Sequence, residues 1–236
     1  MARKPRRRPE REVRKIEIER NVIEQFLMDA KDFLKDNRKA ALYSMVAFLG
    51  AIVIVIGAVI AVDIVSTRNN LRFEKIIEEY EKYSAAGDTE KIRGLTAELK
   101  TFVDDTWFGF AHTMGYYLLG NMYYVQKEYG EAGACLVRYA DKQPKSSLAP
   151  LALLKAGIAL EEAGDLKGSV EIYRRLADRY SESIVADQIF FNQGRIYRKM
   201  NDIVNARASY NRVISSFPES VYAQMAKKRL FMLGGK

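Results

Sequence analysis

Hydrophobic positions along this chain follow three successive patterns. From Ile16 to Asp36, Ile16, Ile23 and Ala30 recur every seven residues, with Phe26 and Phe33 between them and Val22, Leu27 and Leu34 widening the stripe. That spacing predicts an amphipathic helix of about six turns, suited to lie on lipid headgroups, pair in a short coiled coil or dock on a partner. Asn37-Arg38-Lys39 is expected to separate it from the next segment. Ala40 to Val62, AALYSMVAFLGAIVIVIGAVIAV, has no formal charge. At about 1.5 Å per residue this helix is roughly 35 Å long, enough to cross a hydrocarbon core of about 30 Å. From about Ser66 onward apolar residues return to helical spacing, interrupted by turn signals, as in a folded all-α domain.

The flanks of the uncharged run predict its orientation. Residues 1–39 carry 13 Lys/Arg against 8 Asp/Glu, and Asp63 is the first charge beyond the run. Basic excess holds that side in the cytoplasm, so the expectation is a single-pass inner-membrane protein with a cytoplasmic N-terminus and a periplasmic C-terminal domain. The competing reading, a signal peptide cleaved after Val59-Ile60-Ala61, requires a far shorter preceding region and apolar run. The expected layout is 1–39 as basic arm and amphipathic helix, 40–65 as transmembrane helix and 66–236 as the outer domain. Within the span Ala47, Gly50, Ala51, Gly57, Ala58 and Ala61 gather near one face. It would serve homo- or hetero-oligomer packing, unless it reflects only the abundance of small residues in membrane helices.

The outer domain repeats. Gly120, Gly157 and Gly194 lie 37 residues apart, followed three residues later by Tyr123, Leu160 and Tyr197. Twelve residues after each Gly come Ala132, Ser169 and Ala206; sixteen after, Leu136, Tyr173 and Tyr210; twenty-four after, Pro144, Ser181 and Pro218. Each unit reads as two helices. In the middle copy the first is Ala149 to Glu162, Ala163-Gly164-Asp165 turns the chain, and the second runs to about Arg179. Ser and Pro near Tyr180 and Phe217 are expected to cap the next helix. A Gly inside a helix costs about 1 kcal/mol against Ala, so these glycines imply close approach by a bulky facing residue such as the tyrosine sixteen positions on. The expected units are 112–148, 149–185 and 186–222, closed by a helix at 222–233. A degenerate unit at 70–108 precedes them, where Ala86-Gly87-Asp88 echoes the middle turn and Asp105-Thr106-Trp107 echoes Glu182-Ser183-Ile184.

Gly, an aromatic or Leu three later, a small residue twelve later, a Leu or Tyr sixteen later and Pro or Ser twenty-four later resembles the tetratricopeptide repeat (TPR) pattern. The 37-residue period and Tyr139, Leu176 and Val213 in place of a small residue depart from it. The departures suggest a longer second helix, similar to units of the BamD and CpoB/YbgF families. The layout, with FLMDAKDFLKDNRKAALY before the span, also resembles the YfgM family of ancillary SecYEG translocon proteins, which lacks the long Arg-rich extension. The TPR resemblance implies that Tyr117, Asn121, Tyr124, Leu154, Ile158, Glu161, Phe191, Arg195 and Arg198 face a partner-binding groove. About half of these nine are expected in the interhelix core.

Composition adds little chemistry. The net charge of +8 divides into +5 for residues 1–39 and +3 for the rest, so the folded domain offers no nucleic-acid surface. Residues 1–15, with eight basic residues and two prolines, are expected to be disordered and to meet anionic lipid headgroups or, alternatively, ribosomal RNA. The single Cys135 and single His112 supply neither a disulfide nor a metal site. His112 reads as a packing or helix-surface residue and Cys135 as a small core hydrophobe. No nucleophile motif or phosphate loop is present, so no enzymatic activity and no cofactor are expected. Binding remains: a membrane-anchored periplasmic scaffold for partner proteins at the Sec translocon, with secreted chains or chaperones. The alternative is a structural subunit of a large envelope machine such as a secretion apparatus or periplasmic flagellar-motor collar.

Overall fold

The computed structural model describes residues 10–234, with side chains from 22 onward, and every regular element in it is an α-helix. The order is α1 (Glu10–Asp36), α2 (Arg38–Ala86), α3 (Thr89–Asp105), α4 (Phe110–Val125), α5 (Tyr129–Lys142), α6 (Ala149–Glu162), α7 (Leu166–Arg179), α8 (Ala186–Lys199), α9 (Ile203–Ser216) and α10 (Val221–Gly234). Contacts divide the chain into Met1–Asp63 and Ile64–Lys236.

In the first unit, helix α1 begins at Glu10, inside the stretch expected to be disordered. No proline follows Pro9 there, and EREVRKIEIER is rich in strong helix formers, with Glu10 four residues before Arg14. The expectation for residues 1–9 lies outside the described residues. Only Asn37 interrupts the helices, because Arg38 and Lys39 already belong to α2. Asn37 Nδ2 donates to the Phe33 carbonyl (3.1 Å), satisfying part of the end of α1. Helix α2 is the one helix among the described residues long and apolar enough to cross a membrane, and none of that apolar window is buried. The helix itself is longer than the 40–65 stretch and continues past residue 65 to Ala86 without a break. Asp63, Thr67, Arg68 and Asn69 end the apolar run but none forbids helix, and the next Gly is Gly87.

The second unit is a stack of helical hairpins. Each turn between paired helices has one residue in the left-handed region, at Gly87 (φ 66°), Lys127 (φ 64°), Gly164 (φ 84°) and Asn201 (φ 62°). An acid follows each, and Asp88, Asp165 and Asp202 accept backbone N–H bonds at the start of the second helix. Side-chain capping therefore falls on the second helices, whereas α6 and α8 begin at Leu148 and Val185 without it. Near Phe217 the expected cap is present: Ser220, directly before α10, accepts from the Tyr222 N–H (3.0 Å). Near Tyr180 it is not, since α8 follows Val185, and before α6 the Ser146 hydroxyl accepts from the Leu148 N–H, still outside the helix, as a local turn. The second helices α5, α7 and α9 are 14 residues each, the same as α6 and α8, so the longer second helix is not observed.

The repeat glycines pack as expected. A Cβ on Gly157 would stand 2.8 Å from the Tyr173 ring, one on Gly194 2.6 Å from that of Tyr210, and one on Gly120 2.5 Å from Leu136. Twelve positions after the Gly, Ala132, Ser169 and Ala206 are all fully buried, and Ser169 Oγ donates to the Gly157 carbonyl (2.7 Å). The core forms two clusters, one with Leu99, Phe102, Leu136 and Tyr139 and the other with Leu153, Tyr173, Ile189 and Tyr210, all sealed from solvent, and Val137 and Ile172 pack against both.

Candidate functional site

The first helices of successive units, α4, α6 and α8, carry the residues expected in a groove, and polar side chains bridge from one to the next. Asn121 Nδ2 donates to the Tyr117 carbonyl within α4 (2.9 Å), while its Oδ1 accepts from Lys155 Nζ of α6 (2.5 Å). Lys155 also lies over the Tyr124 ring, 5.0 Å from its centroid. Burial lowers the pKa of Lys155 and raises that of Tyr124, the latter helped by Glu162.

Between α6 and α8 a second bridge forms. Arg195 donates through both terminal nitrogens to the two carboxylate oxygens of Glu161, and Lys199 Nζ adds a third contact at 2.5 Å. The Glu161 side chain is 2% exposed. Burial by itself would raise the pKa of Glu161, but the hydrogen bonds and charges of Arg195 and Lys199 outweigh it and hold it below the ordinary carboxylate value. With one carboxylate between two cations, and Arg198 exposed nearby on α8, this end of the face keeps a positive excess.

Of the nine residues expected in the groove, Leu154, Phe191 and Glu161 are buried. Phe191 packs against Tyr210 and Tyr222, at 5.7 and 5.4 Å between centroids, so it belongs to the interhelix core. Tyr117, Asn121, Tyr124, Ile158 and Arg195 are half-buried and Arg198 is exposed. Tyr117 leans on Tyr139. Lys155 and Lys199 belong to the same face, and the repeat pattern alone does not single them out. Three of the bridges share one offset: Asn121 and Lys155 are 34 apart, as are Glu161 and Arg195, and Asp141 and Arg175 on the second helices, whereas Lys199 reaches Glu161 across 38. Those three thus join each helix to a point three residues, about one turn, short of the equivalent position in the next unit.

The remaining candidates lie away from this face or contribute no chemistry to it. His112 is buried, with Nδ1 facing the Val103 carbonyl (3.2 Å) and its ring edge-on to Tyr116. Cys135 is half-buried beside an open hollow of about 530 Å³ that Gly130, Gly133, Arg138 and Leu160 also line. Burial pushes its thiol up to about 11. Ala47, Gly50, Ala51, Gly57, Ala58 and Ala61 are all exposed on α2, with open space over both glycines. Among the described residues no three His, Cys, Asp or Glu side chains converge as a metal site would need.

The tetratricopeptide repeat family model matches residues 151–183 and 188–220, the two units that hold α6–α7 and α8–α9. These are tetratricopeptide repeats. Residues 184–187 fall between the matches, so the additional length at this junction lies in the connection and the opening of α8, not in the second helix. A TPR repeat-containing protein of Treponema pallidum (strain Nichols) is 24% identical over 215 residues, covering 84% of this chain and 90% of that one. That share, about 198 residues, exceeds the 171 from 66 to 236, so the likeness extends beyond the TPR domain. A tetratricopeptide repeat protein from Parabacteroides merdae superposes with a TM-score of 0.55 at 16% identity, over 69% of this chain and 60% of that one. This chain thus spans less than two thirds of that protein. TPR-like repeats from Podosopora anserina give 0.54 at 15% identity, over 70% of this chain and 87% of that one. The shared fold is the helical-hairpin stack.

Proposed function

We propose that this chain is a single-pass inner-membrane protein whose TPR domain stands in the periplasm and holds partner proteins close to the membrane. The observation that carries the reading is the joined arrangement. The first hairpin begins in the same helix as the uncharged 23-residue run, and the stack it opens presents Tyr124, Lys155, Arg195, Arg198 and Lys199 along its first helices. A solenoid of this kind binds extended segments along one face, and Tyr and Arg are favoured where binding energy concentrates. The positive excess near Arg195 suits an acidic segment. The partners proposed are subunits of the Sec translocon, with secreted chains or chaperones in transit, and the basic arm rests on anionic headgroups at the cytoplasmic side. In-cell crosslinking from a photoreactive residue at Tyr124 or Arg198 tests this. Capture of translocon subunits supports it; capture of one abundant structural protein instead removes the translocon reading.

A second reading, a structural subunit of an envelope machine such as a secretion apparatus or flagellar-motor collar, is favoured by the last helix. A closing helix ordinarily turns a polar face outward, yet Phe231 and Met232 of α10 are 84% and 70% exposed. Loss of a stoichiometric complex on Phe231→Ser, Met232→Ser substitution, with the TPR face intact, would favour this reading over the first.

A further inference from the structure

The connection from α3 to α4 reads Thr106-Trp107-Phe108-Gly109, and Phe110 opens α4 directly after it. Trp107 is 81% exposed and Phe110 64%, with Phe108 half-buried and edge-on to Trp107 at 4.9 Å between centroids. Three aromatics at one short junction, two of them turned to solvent, need a cover. The corresponding connections of the next units hold Ser147 and Ile184 in the place of Trp107, so the aromatic cluster is confined to this one.

Its position is set by the way α3 runs back along α2. Arg72 meets Glu98 (3.9 Å), Phe73 stacks on Phe102 (6.2 Å between centroids), and Gly109 comes beside Ser66, whose Oγ is 3.7 Å from where a Gly109 Cβ would be. The end of α3 thus lies against residues 72 and 73 of α2, and Gly109, beyond α3, lies farther back toward the start of α2, at Ser66. Ser66 is four residues, about 6 Å of helix, beyond Val62, the last residue of the uncharged run. Gly109, at φ 94°, turns the chain there in a conformation L side chains rarely adopt and separates Phe108 from Phe110.

We infer that this junction inserts Trp107 and Phe110 into the headgroup layer of the bilayer that α2 crosses, giving the TPR domain a second attachment beside its helix. The inference rests on the membrane-spanning reading of α2. The occupant is a lipid surface because Gly109 lies beside Ser66, four residues after the uncharged run ends, and an indole with an apolar body and a polar N–H is the side chain most suited to the headgroup layer. Asp104 and Asp105 are exposed directly before it and would be repelled by anionic headgroups, so the insertion is shallow and driven by the aromatic rings, not by charge. Its consequence is mechanical. A single helix lets the domain swivel, whereas a helix and an inserted loop fix which side of the TPR stack faces the membrane.

Trp107 is the only tryptophan, so its fluorescence reports this contact directly. The full chain is reconstituted in lipid discs made with ordinary lipid or with lipid brominated in the upper part of the acyl chain. Insertion predicts blue-shifted emission, shielding from aqueous iodide and strong loss of intensity with the brominated lipid. A parallel chain carries Trp107→Phe with Ile54→Trp, placing the only indole within the uncharged run. If that probe is quenched by brominated lipid while Trp107 stays unquenched and iodide-accessible, the inference is overturned and the span stands. If neither is quenched, the span itself is overturned and the inference falls with it.

Discussion

Arg195 on α8 donates through both terminal nitrogens to the carboxylate of Glu161 on α6, thirty-four residues earlier, and Lys199 closes on the same carboxylate. The pair couples two TPR units through a charge that is almost wholly removed from water. Removing one member strands the others, and breaking a buried pair in this way costs about 3 kcal/mol or more. Glu161→Ala is therefore expected to lower the thermal midpoint of the purified full chain, followed by circular dichroism. Glu161→Leu combined with Arg195→Met should recover most of the loss.

The repeat glycines are filled by neighbouring rings, so their substitution is a packing test. Gly157→Ala would press a methyl against Tyr173, which is sealed from solvent and has nowhere to move. A loss of about 2 kcal/mol is expected. Gly94 on α3 is the contrast: it is exposed with nothing within 4 Å, so Gly94→Ala should stabilise by up to about 1 kcal/mol. Melting curves of the two variants should move in opposite directions.

Acid should weaken the α4–α5 hairpin through His112. Burial, then the charge of Lys142, lowers its pKa from the ordinary 6.5, while hydrogen bonding to Val103 and Thr106 opposes this. The unfolded chain takes up the proton first, so this contribution is present in full above about pH 6.5 and is lost as pH falls through the folded value. His112→Gln should flatten the dependence of the melting temperature on pH between 7 and 5 relative to the parent chain.

Cys135 should react slowly in the folded chain. With its thiol pushed from 9.0 to about 11, the reactive thiolate at pH 8 falls on the order of a hundredfold, and partial burial limits access further. Alkylation followed by mass spectrometry should show slow native labelling that becomes rapid in denaturant. Fast native labelling would mean that α5 opens readily.

Residues near one another in the chain are legible from sequence. The 37-residue register, the hairpin turns at Ala86-Gly87-Asp88 and Ala163-Gly164-Asp165, and the bounds of α6 come from helical spacing and turn chemistry that a few consecutive residues carry. The glycine-to-tyrosine offset of sixteen is equally readable, because the two helices it joins are linked by a three-residue turn. The groove is legible only in outline: Tyr124 and Arg198 retain exposed surface, but Phe191 packs into the core, and Lys155 and Lys199 join the face without any signal in the repeat itself.

What the sequence by itself determined, then, is the periodic part: an all-α stack of hairpins after one uncharged run, since the backbone fixes 3.6 residues per turn wherever the pattern occurs. Only the tertiary structure decided that three of the bridges between units join residues 34 apart in a 37-residue repeat, because that offset comes from how one hairpin is shifted along the next. It likewise decided that α2 runs unbroken to Ala86 and that α3 brings Gly109 back beside Ser66. Those outcomes depend on how whole helices lie against one another, which the identity of neighbouring residues does not encode.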